Sequence, residues 1–104
     1  MKKKKITLLE KTINKGRQDL SYVEVSKIGD FKVKINIKSD SYREQCFARI
    51  SVWCADKLTW NIVSSIHPSR MITPSQLAYC EAVSEKDFIL DRDALVESII
   101  KILF

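Results

Sequence analysis

The strongest constraint in this sequence is a strict alternation of apolar and polar residues near its middle. From Phe31 to Lys38 every odd-numbered residue is apolar and every even-numbered one is Lys or Asn. A period of two residues is typical of a β-strand with one buried face, because successive side chains point to opposite faces. The chain is therefore expected to build a sheet whose apolar face is covered by the rest of the molecule.

Three further segments are predicted to be strands of the same sheet: 21–28, 46–54 and 58–66. In the segment 46–54, Phe47, Arg49, Ser51 and Trp53 share the face opposite to the apolar one. A three-residue loop at 55–57 would join this strand to the next and set apolar residues opposite each other, which normally fixes the register. The pairs would be Cys54 with Leu58, Val52 with Trp60 and Ile50 with Ile62, leaving Thr59 and Asn61 on the opposite face.

The turn at Gly29-Asp30 allows two registers for the strand 21–28. A two-residue loop would place Glu24 beside Ile35 on the apolar face and turn Val23 and Val25 outward, whereas a three-residue loop would do the reverse. The sequence leaves both open.

Helices are predicted at the two ends of the chain. Thr7 and Glu10 fit a capping box for a helix over about 6–15, and Thr73 and Pro74 fit the start of a helix over about 74–83. After a short apolar stretch at 88–90, read as a possible brief strand, Asp91 would cap a last helix over 92–103. Its apolar residues cover an arc of about 200°, wider than one packed face needs, so that it is either enclosed within the domain or meets a second chain.

These elements predict an α+β fold: a helix, a four-stranded antiparallel meander, then two helices packed on one face of the sheet, in two layers. The length of 104 residues, with only two Gly and two Pro, indicates one domain over 1–104, of which 1–5 is a flexible basic N-terminus. The apolar stretch after Lys5 is too short for a signal peptide or a membrane span, so a cytoplasmic protein without a membrane partner is expected.

The residues that carry catalysis or hold metals are poorly represented. His67 has no orienting partner in the sequence, and two glycines cannot build a phosphate-binding loop. Cys46 and Cys54, in one strand, lie about 26 Å apart, too far for a disulfide or a shared zinc ion, and Cys80 and His67 supply no close ligand pair. We therefore expect no enzyme activity, no metal, no cofactor and no small-molecule substrate.

The face of the sheet away from the helices is the candidate binding site. It would expose basic and aromatic residues together, namely Lys32, Lys34, Lys38, Phe47, Arg49 and Trp53. Residues 1–52 hold 13 basic and 6 acidic groups, whereas residues 53–104 hold 5 and 7, so the positive charge is concentrated in the same half of the chain.

Two functions fit this pattern. The first is an interaction module that binds a protein partner or itself, through this face or, as a homodimer, through the last helix. The second is a module for single-stranded nucleic acid, whose bases would stack on the rings while the cations contact phosphates. Solvent-facing strand positions are often lysine in any case, which weakens the second interpretation for the lysines alone.

Overall fold

The computed structural model describes residues 5–15, 19–40, 45–66 and 85–104, which form one antiparallel sheet and one helix. The strands are neighbours in chain order, so the sheet is a meander, and the helix packs on one of its faces. The predicted α+β class and the antiparallel meander are confirmed. The strands are β1 (Ile6–Lys15), β2 (Asp19–Ile28), β3 (Phe31–Asp40), β4 (Gln45–Cys54) and β5 (Thr59–Ile66), and the helix is α1 (Glu85–Leu103).

The face of the sheet beneath α1, called the core face below, holds the hydrophobic core. Alternate residues of the central strands point to it, and α1 lies over β3, β4 and β5. Removing this apolar surface from water is the main stabilising contribution to the fold. Among the described residues, the buried apolar ones are Leu20, Tyr22, Ile28, Val33, Ile35, Ile37, Ala48, Ile50, Phe88, Leu95, Val96 and Ile99. The opposite face of the sheet is called the outer face.

The predicted first helix over 6–15 is wrong: this segment is strand β1, so the sheet has five strands rather than four. The register with β2 shifts between Leu8 and Glu10, where a β-bulge adds one residue to β1. Leu9 and Ile13 are four residues apart, a spacing that fits one face of a helix, and the bulge interrupts the period of two that would have indicated a strand. Pairing with β2 outweighs the weak local preference for a helix.

The turn between β2 and β3 contains two residues, Gly29 and Asp30. Gly29 has a φ of 61°, and a Cβ at this position would lie 3.1 Å from Cζ of Phe104. The left-handed backbone and the close approach of the C-terminal ring both favour glycine here. The Phe104 ring also packs edge-on against Phe31, with ring centroids 5.6 Å apart, so the end of the chain is attached to this turn.

The two-residue turn decides which face each residue of β2 occupies. Glu24 lies opposite Ile35 and is buried on the core face, whereas Val23 and Val25 lie on the outer face. The register that the sequence left open is thereby fixed. Its consequence is that a carboxylate stands in the middle of the core face.

The hairpin of β4 and β5 is present, but its predicted register is wrong by one residue. The turn contains four residues, 55–58, because Leu58 adopts a left-handed backbone with a φ of 49° instead of opening the strand. Trp60 therefore lies opposite Trp53 rather than opposite Val52. Thr59 and Asn61, predicted for the outer face, pair with Cys54 and Val52 and lie on the core side of this edge strand.

A second bulge, further along the hairpin, returns the even-numbered residues of β5 to the core face. The register shifts after Ile50, which pairs with Ser64, whereas Ser51 pairs with Ile62. Trp60 and Ile62 consequently lie on the outer face, and Ile66, opposite Ala48, lies on the core face. The turn has one residue more than predicted, and β5 has one extra residue at the bulge. Together they place only the first half of β5 on the opposite face from the one predicted.

Helix α1 begins at Glu85, well before the predicted start at residue 92, and ends at Leu103 as predicted. Residues 88–90 are helical rather than a brief strand, and Asp91 is buried within the helix instead of capping it. Phe88, Asp91 and Leu95 recur at helical spacing and bury together, so one face continues through the predicted boundary. The predicted helix over 74–83 lies outside the described residues.

The apolar arc of α1 is only partly used by the described part of the chain. Leu95, Val96 and Ile99 are buried against the sheet, whereas Leu90 and Ile102 are 69% and 57% exposed. Among the described elements α1 is therefore packed on one side, not enclosed.

An ion pair between Glu24 of β2 and Arg92 of α1 joins the sheet to the helix. The Glu24 side chain is 2% exposed and its carboxylate accepts hydrogen bonds from the hydroxyls of Tyr22 (2.5 Å) and Ser26 (2.6 Å). Nε and Nη2 of Arg92 each donate to one of its oxygens at 3.1 Å. Lys11 lies opposite Glu24 on the neighbouring strand β1. The negative charge of Glu24 is stabilised by this bidentate contact with Arg92 and by the two hydroxyl groups.

This network predicts a loss of stability in acid. Burial raises the pKa of Glu24, but hydrogen bonds from Arg92, Ser26 and Tyr22 lower it more, and the net pKa lies below the ordinary 4.5. Because the folded state binds the proton less readily than the unfolded chain, the contribution of Glu24 is complete above about pH 5 and is lost as the pH falls through the folded-state pKa. Urea unfolding between about pH 7 and pH 3 should show the free energy of unfolding declining in that range. A Glu24→Gln variant, which cannot ionise, should decline less, and parallel curves for the two proteins would contradict this assignment.

Candidate functional site

All six residues of the predicted binding site lie on the outer face. Lys34 and Lys38 pair with Ser51 and Phe47 across β3 and β4, and Arg49 pairs with Asn36. Since Ala48 and Ile50 are buried, the residues between and beside them on β4 point away from α1. The alternation seen in the sequence therefore brings Lys32, Lys34, Lys38, Phe47, Arg49 and Trp53 onto one surface.

Two tryptophans lie together at one end of the outer face, and only Trp53 was predicted to lie there. The rings of Trp53 and Trp60 meet edge to face with centroids 5.3 Å apart, and Nζ of Lys34 lies 5.7 Å from the centre of the Trp60 ring. The sequence interpretation placed Trp60 in the core, because it assumed a three-residue turn. These are the two tryptophans of the whole chain.

A second aromatic group lies further along β4. The Cζ atom of Arg49 stacks over the Phe47 ring at 4.0 Å from its centroid, and Arg49 is exposed. A guanidinium on an aromatic ring is held by a cation–π interaction and offers a flat surface to a further planar group. Phe47 lies directly opposite Lys38 in the sheet. We call this group the Phe47–Arg49 stack, and the first group the tryptophan pair.

Positive charge on the outer face is concentrated rather than balanced. Lys27, which the sequence interpretation did not include, lies opposite Lys32, and Lys34 follows two residues later on the same face. Like charges directly opposite each other in a sheet are destabilising, so this arrangement has a cost in stability. The described acidic residues of this face lie at its margins: Glu10 on edge strand β1, opposite Val25, and Asp19 at the start of β2.

The residues considered for catalysis and metal binding are His67, Cys46, Cys54 and Cys80. His67 and Cys80 lie outside the described residues. Cys46 and Cys54 are free cysteines near the two ends of β4. In the part of the chain that the structure describes, no three His, Cys, Asp or Glu side chains are grouped so that they could hold a metal ion.

Comparison with known proteins gives no match: no family model fits the sequence, and no curated protein or solved structure shows significant similarity to it. Within the described residues no helix has the length and apolar character needed to cross a membrane. A role for this chain is therefore inferred from its own side chains.

Proposed function

We propose that this chain is a non-enzymatic binding module that holds single-stranded nucleic acid on its outer face. The observation that carries the proposal is the juxtaposition on one surface of the tryptophan pair, the Phe47–Arg49 stack and the lysines of β2 and β3. Bases stack on aromatic side chains or on arginine planes, at about 1–3 kcal/mol per base, and lysines contact phosphates. A sheet supplies both kinds of contact from alternate residues of adjacent strands.

The charge pattern favours a nucleic acid over an uncharged protein surface. Lys27 and Lys32 face each other at a cost to the free protein, and a polyanion that binds between them offsets this repulsion. Trp60 adds a second indole ring beside a lysine, so that stacking and phosphate contact are available within one small area. An apolar protein partner gains nothing from the cations.

Salt dependence and two kinds of variant test the proposal. A labelled oligothymidylate of about 12 nucleotides, followed by fluorescence anisotropy, should bind roughly 20- to 100-fold more weakly at about 200 mM than at about 50 mM salt if three to five phosphates are contacted. Trp60→Ala should weaken binding by roughly 5- to 100-fold at either salt concentration. The variant Lys32→Glu/Lys34→Glu should abolish most of the salt-dependent affinity.

A matched charge change elsewhere provides the control. Lys101→Glu alters the net charge as much as Lys34→Glu alone, but Lys101 lies on the exposed side of α1. This control should retain most of the affinity. Equal losses for Lys101→Glu and Lys34→Glu, or no binding by the wild-type protein at the lower salt concentration, would refute the proposal.

The alternative function, binding of a protein partner or of a second copy, has its own observation. Ile102 and Phe104 are about half exposed at the end of α1. Binding of a second copy predicts a dimer mass in solution which Phe104→Ala reduces to that of the monomer, together with no affinity for the oligothymidylate. Light scattering on the same samples therefore distinguishes the two functions.

A further inference from the structure

We infer that the bound strand runs along β3 and β4, from the tryptophan pair to the Phe47–Arg49 stack, with its phosphates over the lysines of β3. This inference rests on the proposed function and adds the path and the length of the binding site. It assigns one base-stacking position to each end of the path.

The distance between the two aromatic groups sets the length. Trp53 and Phe47 are six residues apart in one strand, which corresponds to about 20 Å at about 3.3 Å per residue. One strand of a stacked duplex advances about 3.4 Å per nucleotide, and a single strand with unstacked bases advances roughly twice as far. The path therefore holds three or four extended nucleotides, at the lower end of the range for single-strand-binding domains.

The lysines of β3 follow this path. Lys34 and Lys38 lie opposite Ser51 and Phe47 on β4, and Lys32 continues the row toward the tryptophan end. Neighbouring outer-face positions of a strand are about 7 Å apart, which matches the phosphate spacing of an extended single strand better than that of a stacked duplex. Single-stranded nucleic acid is therefore the form that fits.

The charge of the outer face also indicates where the path ends. Beyond Lys38, which lies opposite Ser21, the outer face of β2 ends at Asp19. An acidic residue at that position disfavours a further phosphate. Affinity should therefore stop rising once the oligonucleotide reaches the Phe47–Arg49 stack.

A length series tests the path. Binding of oligothymidylates of about two to eight nucleotides can be followed by quenching of tryptophan emission, which reports only the tryptophan pair because the chain has no other tryptophan. Affinity should rise steeply up to about four nucleotides and little thereafter. Phe47→Leu should weaken binding of the eight-nucleotide strand by at least roughly fivefold, leave the two-nucleotide strand unchanged and retain the full quenching amplitude.

The control and the contrary outcomes separate this inference from the proposed function. Val23→Ala, on the outer face but on β2, should change neither affinity. If Phe47→Leu weakens short and long strands equally, or neither of them, the path is wrong, while nucleic-acid binding that depends on Trp60 would stand. If the wild-type protein binds no length of oligothymidylate, the proposed function itself fails.

Discussion

Replacing Arg92 by methionine is expected to lower the free energy of unfolding by about 3 kcal/mol. The Arg92 side chain is 21% exposed, and it donates two hydrogen bonds to a carboxylate that is almost completely buried. Methionine keeps much of the packing volume but leaves the charge of Glu24 without its cation. For a domain of this size, a loss of 3 kcal/mol corresponds to a decrease in Tm of roughly 12–24 °C, measurable by circular dichroism or calorimetry.

The other partner of the same guanidinium provides the control. Asp93 accepts a hydrogen bond from Nη1 of Arg92 at 2.9 Å, but its side chain is 59% exposed. Because exposed ion pairs contribute little, Asp93→Asn should change the free energy of unfolding by less than about 0.5 kcal/mol.

A second substitution distinguishes the loss of the Arg92 side chain from the effect of leaving the Glu24 carboxylate buried without a cation. Glu24→Leu added to Arg92→Met removes the unpaired carboxylate and should recover part of the lost stability. Arg92→Met as stable as Asp93→Asn, or a double variant less stable than Arg92→Met alone, would contradict this account of the core.

The central strands could be predicted from the sequence because their alternation is uninterrupted. Residues 31–38 and 46–54 keep a strict period of two, and this was enough to assign Phe47 and Trp53 to the outer face. The same rule failed where a bulge adds a residue to β1, between Leu8 and Glu10, and where the four-residue turn shifts the first half of β5, before the bulge opposite Ile50 restores the predicted faces. A bulge is stabilised by the neighbouring strand, so that a single segment read alone contains little sign of it.

The candidate site was predicted in part for the same reason. The six residues named from the sequence share a surface, but Trp60 and Lys27 were missed because each depends on a turn length. Whether a turn holds two, three or four residues decides the face of every residue in the next strand. Leu58, which adopts a left-handed backbone without being glycine, carried no sequence signal for the four-residue turn.

Glu24 shows a different limit of reasoning from sequence. A carboxylate on the core face contradicts the usual rule that charged residues stay outside, and its partner is distant in the sequence, on α1. Only the packed structure brings Arg92 across the sheet to β2. Conversely, the helix that carries Arg92 was predicted to begin at residue 92, since Asp91 resembles a cap when its burial is not known.

A large effect of a single apolar truncation is expected at Leu95. Its side chain is fully buried between α1 and the sheet, so Leu95→Ala removes core packing and leaves a cavity. Substitutions of this kind cost about 2–5 kcal/mol, and urea unfolding measures the loss. Leu90→Ala is the matched control, since it is the same substitution in the same helix at a residue that is 69% exposed, and it should cost less than about 0.5 kcal/mol. Similar losses for the two variants would mean that α1 does not present its Leu95 face to the sheet, and the outer face would then lose its status as the side left open by the helix.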